Sequence, residues 1–318
     1  MKKILVIEKL HKSGIELLKQ RKDFSFEVIE NVEKNFLKNK LKNCDGITLR
    51  NIEFGKELIE SGKNLKIISR HGVGYDNLDL KAMKKNNVIL SVTDTANAVS
   101  VSEHIFFMML NISRGFDKYD KFIRKEDFSK RTELKLTTEI WNKKILIIGF
   151  GRIGKNLIKR CQGFEMDIFV YDPYVSESVI NKFGGKKVDN YKESIKTMDY
   201  ISINTPLTHE TKNMINLEIL KKMKKNSIII NTARGGIINE LDLNEALNQK
   251  LIFGAGLDLF ENEPPSSENP LLKNKKVFLT PHAATFTEEC TKRMGQQTVQ
   301  NLIDFFDGKL EKRSIIEL

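Results

Sequence analysis

Cysteine is scarce in this chain: the 318 residues hold three, Cys44, Cys161 and Cys290, far apart and odd in number. That excludes a disulfide framework and a metal-ligand spacing, so no metal is expected and the usage suits a reducing cytoplasm. No apolar run approaches the roughly 18 residues needed to cross a bilayer. The start Met1-Lys2-Lys3-Ile4-Leu5-Val6-Ile7 is soon interrupted by Glu8 and Lys9 and reads as a first core strand, not a signal peptide. No membrane partner is expected. Internal repeats, low-complexity tracts and long linkers are also missing. The formal net charge is +11, yet the lysines are spread through the whole chain with no aromatic-interleaved basic motif, so no nucleic-acid partner is expected. The excess reads as solvated surface that can still draw anionic substrates inward.

What is present is ordinary for a soluble globular protein, 40% hydrophobic and 30% charged, with length for about two domains. Short β-like runs alternate with longer amphipathic stretches. The runs are 4–7, 25–29, 46–49, 65–68 and 88–92, with helix-like segments such as 11–20 between them. A second series begins at Lys144 and continues through 168–171, 200–204, 227–231, 253–257 and 277–280. Such alternation predicts parallel α/β layers. Between the two series, Val101 to Arg114 is an apolar helix candidate with little polar face, buried between domains or subunits or else in a core. After His282 the chain again reads as helix, with Met294, Val299, Leu302, Ile303 and Phe306 near helical spacing. That helix could return to the first domain.

The stretch Gly149-Phe150-Gly151-Arg152-Ile153-Gly154 directly follows the apolar run 144–148 and opens a helix-like segment. In that context it reads as a dinucleotide fingerprint. Gly149 allows the tight turn, Gly151 lets the backbone approach a pyrophosphate, and Gly154 lets helix pack on strand. The pyrophosphate would sit at a helix N-terminus, where unpaired N–H groups favour negative charge. Eighteen residues after Gly154, the next β-like run ends in Asp172, near the spacing of about 20 at which an acid meets the ribose hydroxyls. A carboxylate there repels a 2′-phosphate, which favours NAD over NADP.

Three further segments lie at or just beyond predicted strand ends, where open α/β sheets place their ligands: 231–236, 256–264 and 280–284. They carry Arg234, Glu263 and His282. Arg234 offers a planar fork of donors for a carboxylate or carbonyl oxygen. His282 can give and take a proton near neutrality. Glu263, if it contacts the imidazole, would favour the protonated ring and fix its orientation. Together they fit reversible oxidation of an alcohol, His282 taking the hydroxyl proton as hydride leaves for the nicotinamide.

With the fingerprint, Ala233 to Gly236, Asp258 to Pro264 and Pro281 to Ala284 in this order and spacing, the sequence resembles the NAD-dependent D-isomer-specific 2-hydroxyacid dehydrogenases over nearly its whole length. The resemblance implies an α/β fold of two doubly wound parallel-sheet domains, a Rossmann-type nucleotide domain (96–285) inserted into a flavodoxin-like substrate domain (1–95 and 286–318). It implies catalysis by Arg234, Glu263 and His282. Arg70 to Asp79 resembles the family's substrate loop, in which Val73 and Gly74 inherit the backbone N–H groups that bind the substrate carboxylate. Thr93, Arg152, Ile153, Thr205, Thr232, Asp258 and Ala284 inherit cofactor contacts, beside Gly149, Gly151, Gly154 and Asp172. Asn97 and Ser100 to His104 match the family's crossing helix, so a homodimer is expected.

Arg50 and Arg70 look like arginines that hold an anionic substrate in phosphoglycerate dehydrogenases. That branch continues its histidine with Leu-Gly-Ala-Ser-Thr, whereas this chain reads Ala283-Ala284-Thr285-Phe286-Thr287. Hydroxypyruvate, glyoxylate and sulfolactate-type substrates therefore stay open beside 3-phosphoglycerate. With Leu318 as the last residue, feedback by serine through a C-terminal sensing domain is not expected. Formate dehydrogenases of the superfamily pair their histidine with glutamine, which Glu263 argues against. An NADH-sensing corepressor branch keeps the same active-site residues and stays open as a binding role.

Overall fold

The computed structural model describes residues 1–125 and 128–318. It divides into two compact units, Met1–Asn97 with Thr285–Leu318, and Ala98–Ala284. The strands of the first unit are β1 (Lys2–Ile7), β2 (Phe24–Ile29), β3 (Gly46–Leu49), β4 (Ile67–Arg70) and β5 (Ile89–Val92). The second holds β6 (Lys144–Ile148), β7 (Asp167–Tyr171), β8 (Lys186–Lys187), β9 (Tyr200–Ile203), β10 (Ile228–Asn231), β11 (Gly254–Leu257) and β12 (Val277–Leu279), and β13 (Ile315–Ile316) belongs again to the first.

In the first unit β2-β1-β3-β4-β5 run parallel in that order, and β13 closes the edge antiparallel to β5. This is a flavodoxin-like order. The central strands β3 and β4 are buried at every position because both faces are covered, the polar Thr48, Ser69 and Arg70 included. In β1, Leu5 and Ile7 enter the core on one face, and Ile4 and Val6 the core on the other. The second of these cores is completed by the helix Glu288–Phe306, which lays Val299, Leu302 and Ile303 on Ile4, Val6 and Ile67. Thr287 starts that helix by accepting the Cys290 N–H at 3.1 Å, with Glu288 and Glu289 in the first turn complementing its dipole. The helix Lys12–Lys19 crosses it at two glycines: a Cβ on Gly14 would stand 2.5 Å from the Gly295 carbonyl oxygen.

In the second unit all seven strands are parallel, in the order β8-β7-β6-β9-β10-β11-β12. The order reverses between β6 and β9, and the crevice at such a switch point is where doubly wound sheets bind dinucleotides. Along β6, Ile145 and Ile147 face one core while Leu146 and Ile148 face the other. Burying each such side chain contributes roughly 1.5–3 kcal/mol before ordering costs. The helix Ala98–Arg114 covers the first of these faces, with Val101, Ile105, Met108 and Met109 against Ile145, Ile147, Leu157 and Ile158. Its apolar side is thus a core side of this unit. Val99 and Phe107 remain on the outside, Phe107 48% exposed.

Candidate active site

The turn after β6 shows why its glycines are glycines. Gly149 has φ +95°, and a Cβ there would stand 2.6 Å from the Asn204 carbonyl oxygen, so this turn passes directly beneath the end of β9. A Cβ on Gly154 would stand 2.5 Å from the Gly149 oxygen, which is the close helix-to-strand approach. Around Gly151 nothing lies within 4 Å of a built Cβ. Its position caps the helix Arg152–Gly163 with no side-chain hydrogen bond, so the first-turn N–H groups keep an open cradle for an anion. Arg152 and Ile153 form that first turn. The Asp172 carboxylate, just past β7, accepts the Phe150 N–H at 2.7 Å and the Tyr174 N–H at 2.9 Å. It therefore locks the glycine turn, and its remaining lone pairs suit a ribose diol.

Thr205 follows β9, and Thr232 follows β10. Thr232 is 8% exposed, and its hydroxyl Oγ1 is buried without a hydrogen-bond partner, as is the amide oxygen Oδ1 of Asn204. Buried polar atoms are normally paired; at the mouth of the switch-point crevice these fit a polar cofactor, and together with the glycine cradle they make the unit a fit for NAD.

The three proton- and substrate-handling candidates come from three successive strand ends. Asn231, which ends β10, accepts the Ala233 N–H with Oδ1 at 3.0 Å and donates Nδ2 to the Arg234 carbonyl at 2.7 Å, shaping the loop that presents Arg234. Gly235 brings this loop against the segment after β11: a Cβ there would stand 1.9 Å from the Phe260 oxygen, so any other residue would push the two loops apart. In that segment the Glu261 N–H is tied to Glu240 Oε1 at 2.6 Å, and Glu263 accepts the Phe260 N–H at 3.2 Å. Glu263 Oε2 lies 2.8 Å from His282 Nδ1. Glu263, not its neighbour Glu261, is the histidine's partner.

Partial burial pushes the Glu263 carboxyl up, but the hydrogen bond and charge of His282, the Phe260 N–H and the Arg234 charge outweigh it, and the net displacement is downward. An ionised carboxylate only accepts, so Nδ1 carries a proton. Nε2 is the edge left for a reacting oxygen, and the side chain is 49% exposed.

His282 has φ +52°, a left-handed conformation costing roughly 1–2 kcal/mol for a residue with a Cβ. It is held from Asp258, which is 1% exposed. The Asp258 carbonyl takes the His282 N–H at 2.8 Å, its Oδ1 takes the Ala283 N–H at 2.7 Å, and its Oδ2 takes the Ala284 N–H at 3.0 Å. Ser100 Oγ binds the Ala284 carbonyl at 2.7 Å. Asn231, Ser100, Thr280 and His104 support the site, a role the sequence did not show. Asn231 and Thr280 lay inside the quoted segments and Ser100 and His104 in the stretch matched to the crossing helix, but the partners of the last two are far away in sequence.

In the first unit, Leu49 pairs with Arg70. Arg50 and Arg70 thus leave neighbouring strand ends side by side. Arg50 Nη1 donates to the Lys9 carbonyl at 3.0 Å, and Arg70 donates to the His71 carbonyl at 2.7 Å and to Asn51 Oδ1 at 3.3 Å. Burial, with the two arginine charges adding to it, pushes His71 down to about 3, so its ring is neutral at neutral pH. The next residues form a turn in which Gly72 has φ +142° and gives its carbonyl to the Thr93 N–H. Among the described residues, the Val73 and Gly74 N–H groups donate to no backbone carbonyl. Thr93 is fully buried, with its hydroxyl lacking a partner.

A family profile described as D-isomer specific 2-hydroxyacid dehydrogenase, NAD binding domain, matches residues 106–284. The chain is 35% identical over 316 residues to D-3-phosphoglycerate dehydrogenase of Methanocaldococcus jannaschii, covering 99% of this chain and 59% of that protein. It is 33% identical over 317 residues to glyoxylate reductase of Thermococcus litoralis, covering 97% of this chain and 95% of the relative. The crystal structure of a glyoxylate reductase from Paecilomyes thermophila superposes with a TM-score of 0.86 at 28% identity, over 99% of this chain and 97% of that one.

Proposed function

Since the chain belongs to the D-isomer-specific 2-hydroxyacid dehydrogenase family, we propose that it interconverts a small anionic 2-oxoacid and the corresponding D-2-hydroxyacid with NAD(H). The observation that carries this reading is the Glu263–His282 hydrogen bond of 2.8 Å, set beside the Arg234 loop at the strand ends of a dinucleotide-binding sheet. In this reading Ala98–Ala284 holds the cofactor.

The residues that would hold NAD are the 149–154 turn for the pyrophosphate, Asp172 for the ribose, and Thr205, Thr232, Asp258 and Ala284. When bound, the nicotinamide supplies or accepts the hydride. The remaining work belongs to the chain. Arg234 orients the 2-oxoacid and stabilises charge developing on its carbonyl oxygen. His282 delivers a proton from Nε2 to that oxygen in reduction and removes it in oxidation. Glu263 keeps the imidazole oriented by accepting its Nδ1 proton. Val73 and Gly74 would offer N–H groups to the carboxylate, and Arg50 and Arg70 would attract a further negative group.

The chain spans 59% of the length of the archaeal phosphoglycerate dehydrogenases it matches and nearly all of the glyoxylate reductase. On the names of these relatives and the adjacent Arg50 and Arg70, the substrate is read as 3-phosphohydroxypyruvate, hydroxypyruvate or glyoxylate. We read the enzyme as cytoplasmic, on the scarcity and wide spacing of its cysteines; among the described residues no helix is long and apolar enough to cross a membrane. We read it as a homodimer, because the helix Phe116–Lys125 buries none of its residues and leaves Phe116 and Ile123 exposed. NADH oxidation with a panel of glyoxylate, hydroxypyruvate, 3-phosphohydroxypyruvate, 3-sulfopyruvate and pyruvate tests the reading. Turnover of one or more supports it, and failure of all five at millimolar concentration overturns it.

A further inference from the structure

His104 projects from the helix Ala98–Arg114 toward the strand ends, 16% exposed at its side chain, with its ring 5.8 Å from that of Phe107. Its Nε2 stands 2.9 Å from Thr280 Oγ1, and Thr280 Oγ1 stands 2.5 Å from Asp258 Oδ1. The directions of these bonds follow from the chemistry of the groups. The carboxylate can only accept, so the threonine proton points to Asp258, and the lone pairs of the same hydroxyl must take a proton from His104 Nε2. The series runs one way, from His104 through Thr280 to Asp258, and it fixes the His104 tautomer. Burial disfavours the charged form of this imidazole, with the Asp258 charge, 3.6 Å from Nε2, acting in the opposite sense.

Asp258 ends this series and begins another. Both carboxylate oxygens and its carbonyl are bonded to consecutive N–H groups of the turn that carries His282. A left-handed residue at a reactive position persists only where its surroundings over-determine it, and in this turn those surroundings are the Asp258 oxygens. Rotation of the Asp258 carboxylate by one rotamer would release two of the three bonds at once, and the hydroxyl of Thr280 is what opposes that rotation.

We propose that His104 is a positioning residue for the proton carrier: through Thr280 it locks the Asp258 carboxylate, and Asp258 in turn holds the 281–284 turn so that His282 meets Glu263 with Nδ1 and the substrate with Nε2. The catalytic half of this proposal rests on the dehydrogenase reading above, whereas the half concerning the turn does not.

Four variants test it: His104→Gln, His104→Phe, Thr280→Val and the double His104→Phe/Thr280→Val. The amide nitrogen of glutamine lies four bonds from Cα, as Nε2 of histidine does, so it can donate to Thr280. Phenylalanine fills the space and keeps the contact with Phe107 but donates nothing. Amide hydrogen exchange on the cofactor-free protein should show Ala283 and Ala284 exchanging at least tenfold faster in His104→Phe and Thr280→Val, and within threefold of wild type in His104→Gln. Steady-state kinetics should show kcat down at least tenfold in the first two and recovery in His104→Gln. The double variant should be no worse than the worse single one, because each breaks the same series.

The proposal is overturned if folded His104→Phe keeps both exchange and kcat within twofold of wild type, or if the two single effects multiply in the double variant. Should His104→Phe not fold, Thr280→Val decides, and normal exchange and normal kcat there overturn the proposal. If the wild-type protein turns over no 2-oxoacid, the dehydrogenase reading falls, and the exchange data alone judge the His104 series.

Discussion

His282 and Glu263 share one hydrogen bond, yet replacing each should lower turnover to a different extent. His282→Ala removes the proton carrier and should lower kcat by roughly 10²–10⁴-fold, the usual contribution of a positioned acid–base group, while NADH affinity by fluorescence titration stays within twofold. Glu263→Gln keeps the shape and loses the charge. The Glu263 carboxyl is held below its ordinary range in spite of partial burial, so it is ionised in the neutral region and accepts the His282 Nδ1 proton as a charge-assisted bond. Glutamine offers a neutral acceptor in its place, so kcat should fall, but by less than in His282→Ala, while NADH affinity stays within twofold. A variant with full wild-type kcat would remove Glu263 from the mechanism. Asp172 makes a separate prediction, because its carboxylate stands where a 2′-phosphate would arrive. Asp172→Ala should narrow the preference for NAD over NADP in kcat/KM, while also losing the bonds to Phe150 and Tyr174. Equal use of the two cofactors by the wild-type enzyme would contradict this assignment.

Among the elements, the turn from β6 into the helix Arg152–Gly163 is sensitive to a single methyl group. Gly149→Ala would set a Cβ 2.6 Å from a backbone oxygen at φ +95°, a strain of about 1–3 kcal/mol. Both the melting temperature and the NADH affinity should fall. Gly163→Ala, with open space around the new Cβ, is the matched control and should leave both unchanged or slightly raised. Most strands of both sheets were legible from apolar runs such as 144–148, because strands covered on both faces are continuously hydrophobic. The two-residue strands β8 and β13 carry no such run, and only neighbours already in place define them. At the site, Arg234, Glu263 and His282 are legible because each follows its own strand, whereas the choice between Glu261 and Glu263 depends on Glu240, which claims the Glu261 N–H. His104 and Thr280 are 176 residues apart, a pairing that no local pattern encodes.

For the molecule as a whole, the exposed Val99, Phe107, Phe116 and Ile123 predict self-association. Sedimentation at micromolar concentration should report a dimer, and a stable, active monomer would contradict it. The first unit is discontinuous, and this bears on how the protein is made. Ala98–Ala284 has its whole core within one stretch of chain. By contrast Ile4, Val6 and Ile67 wait for Val299, Leu302 and Ile303 on the helix Glu288–Phe306. During synthesis the residues translated first therefore mature last. Ribosome-arrested chains in which residues up to 284 have emerged should already protect 98–284 from protease while 1–97 is still cut. The amino-terminal segment is thus an apolar surface in search of cover for most of translation, and holding chaperones are expected to act on it rather than on the cofactor-binding unit.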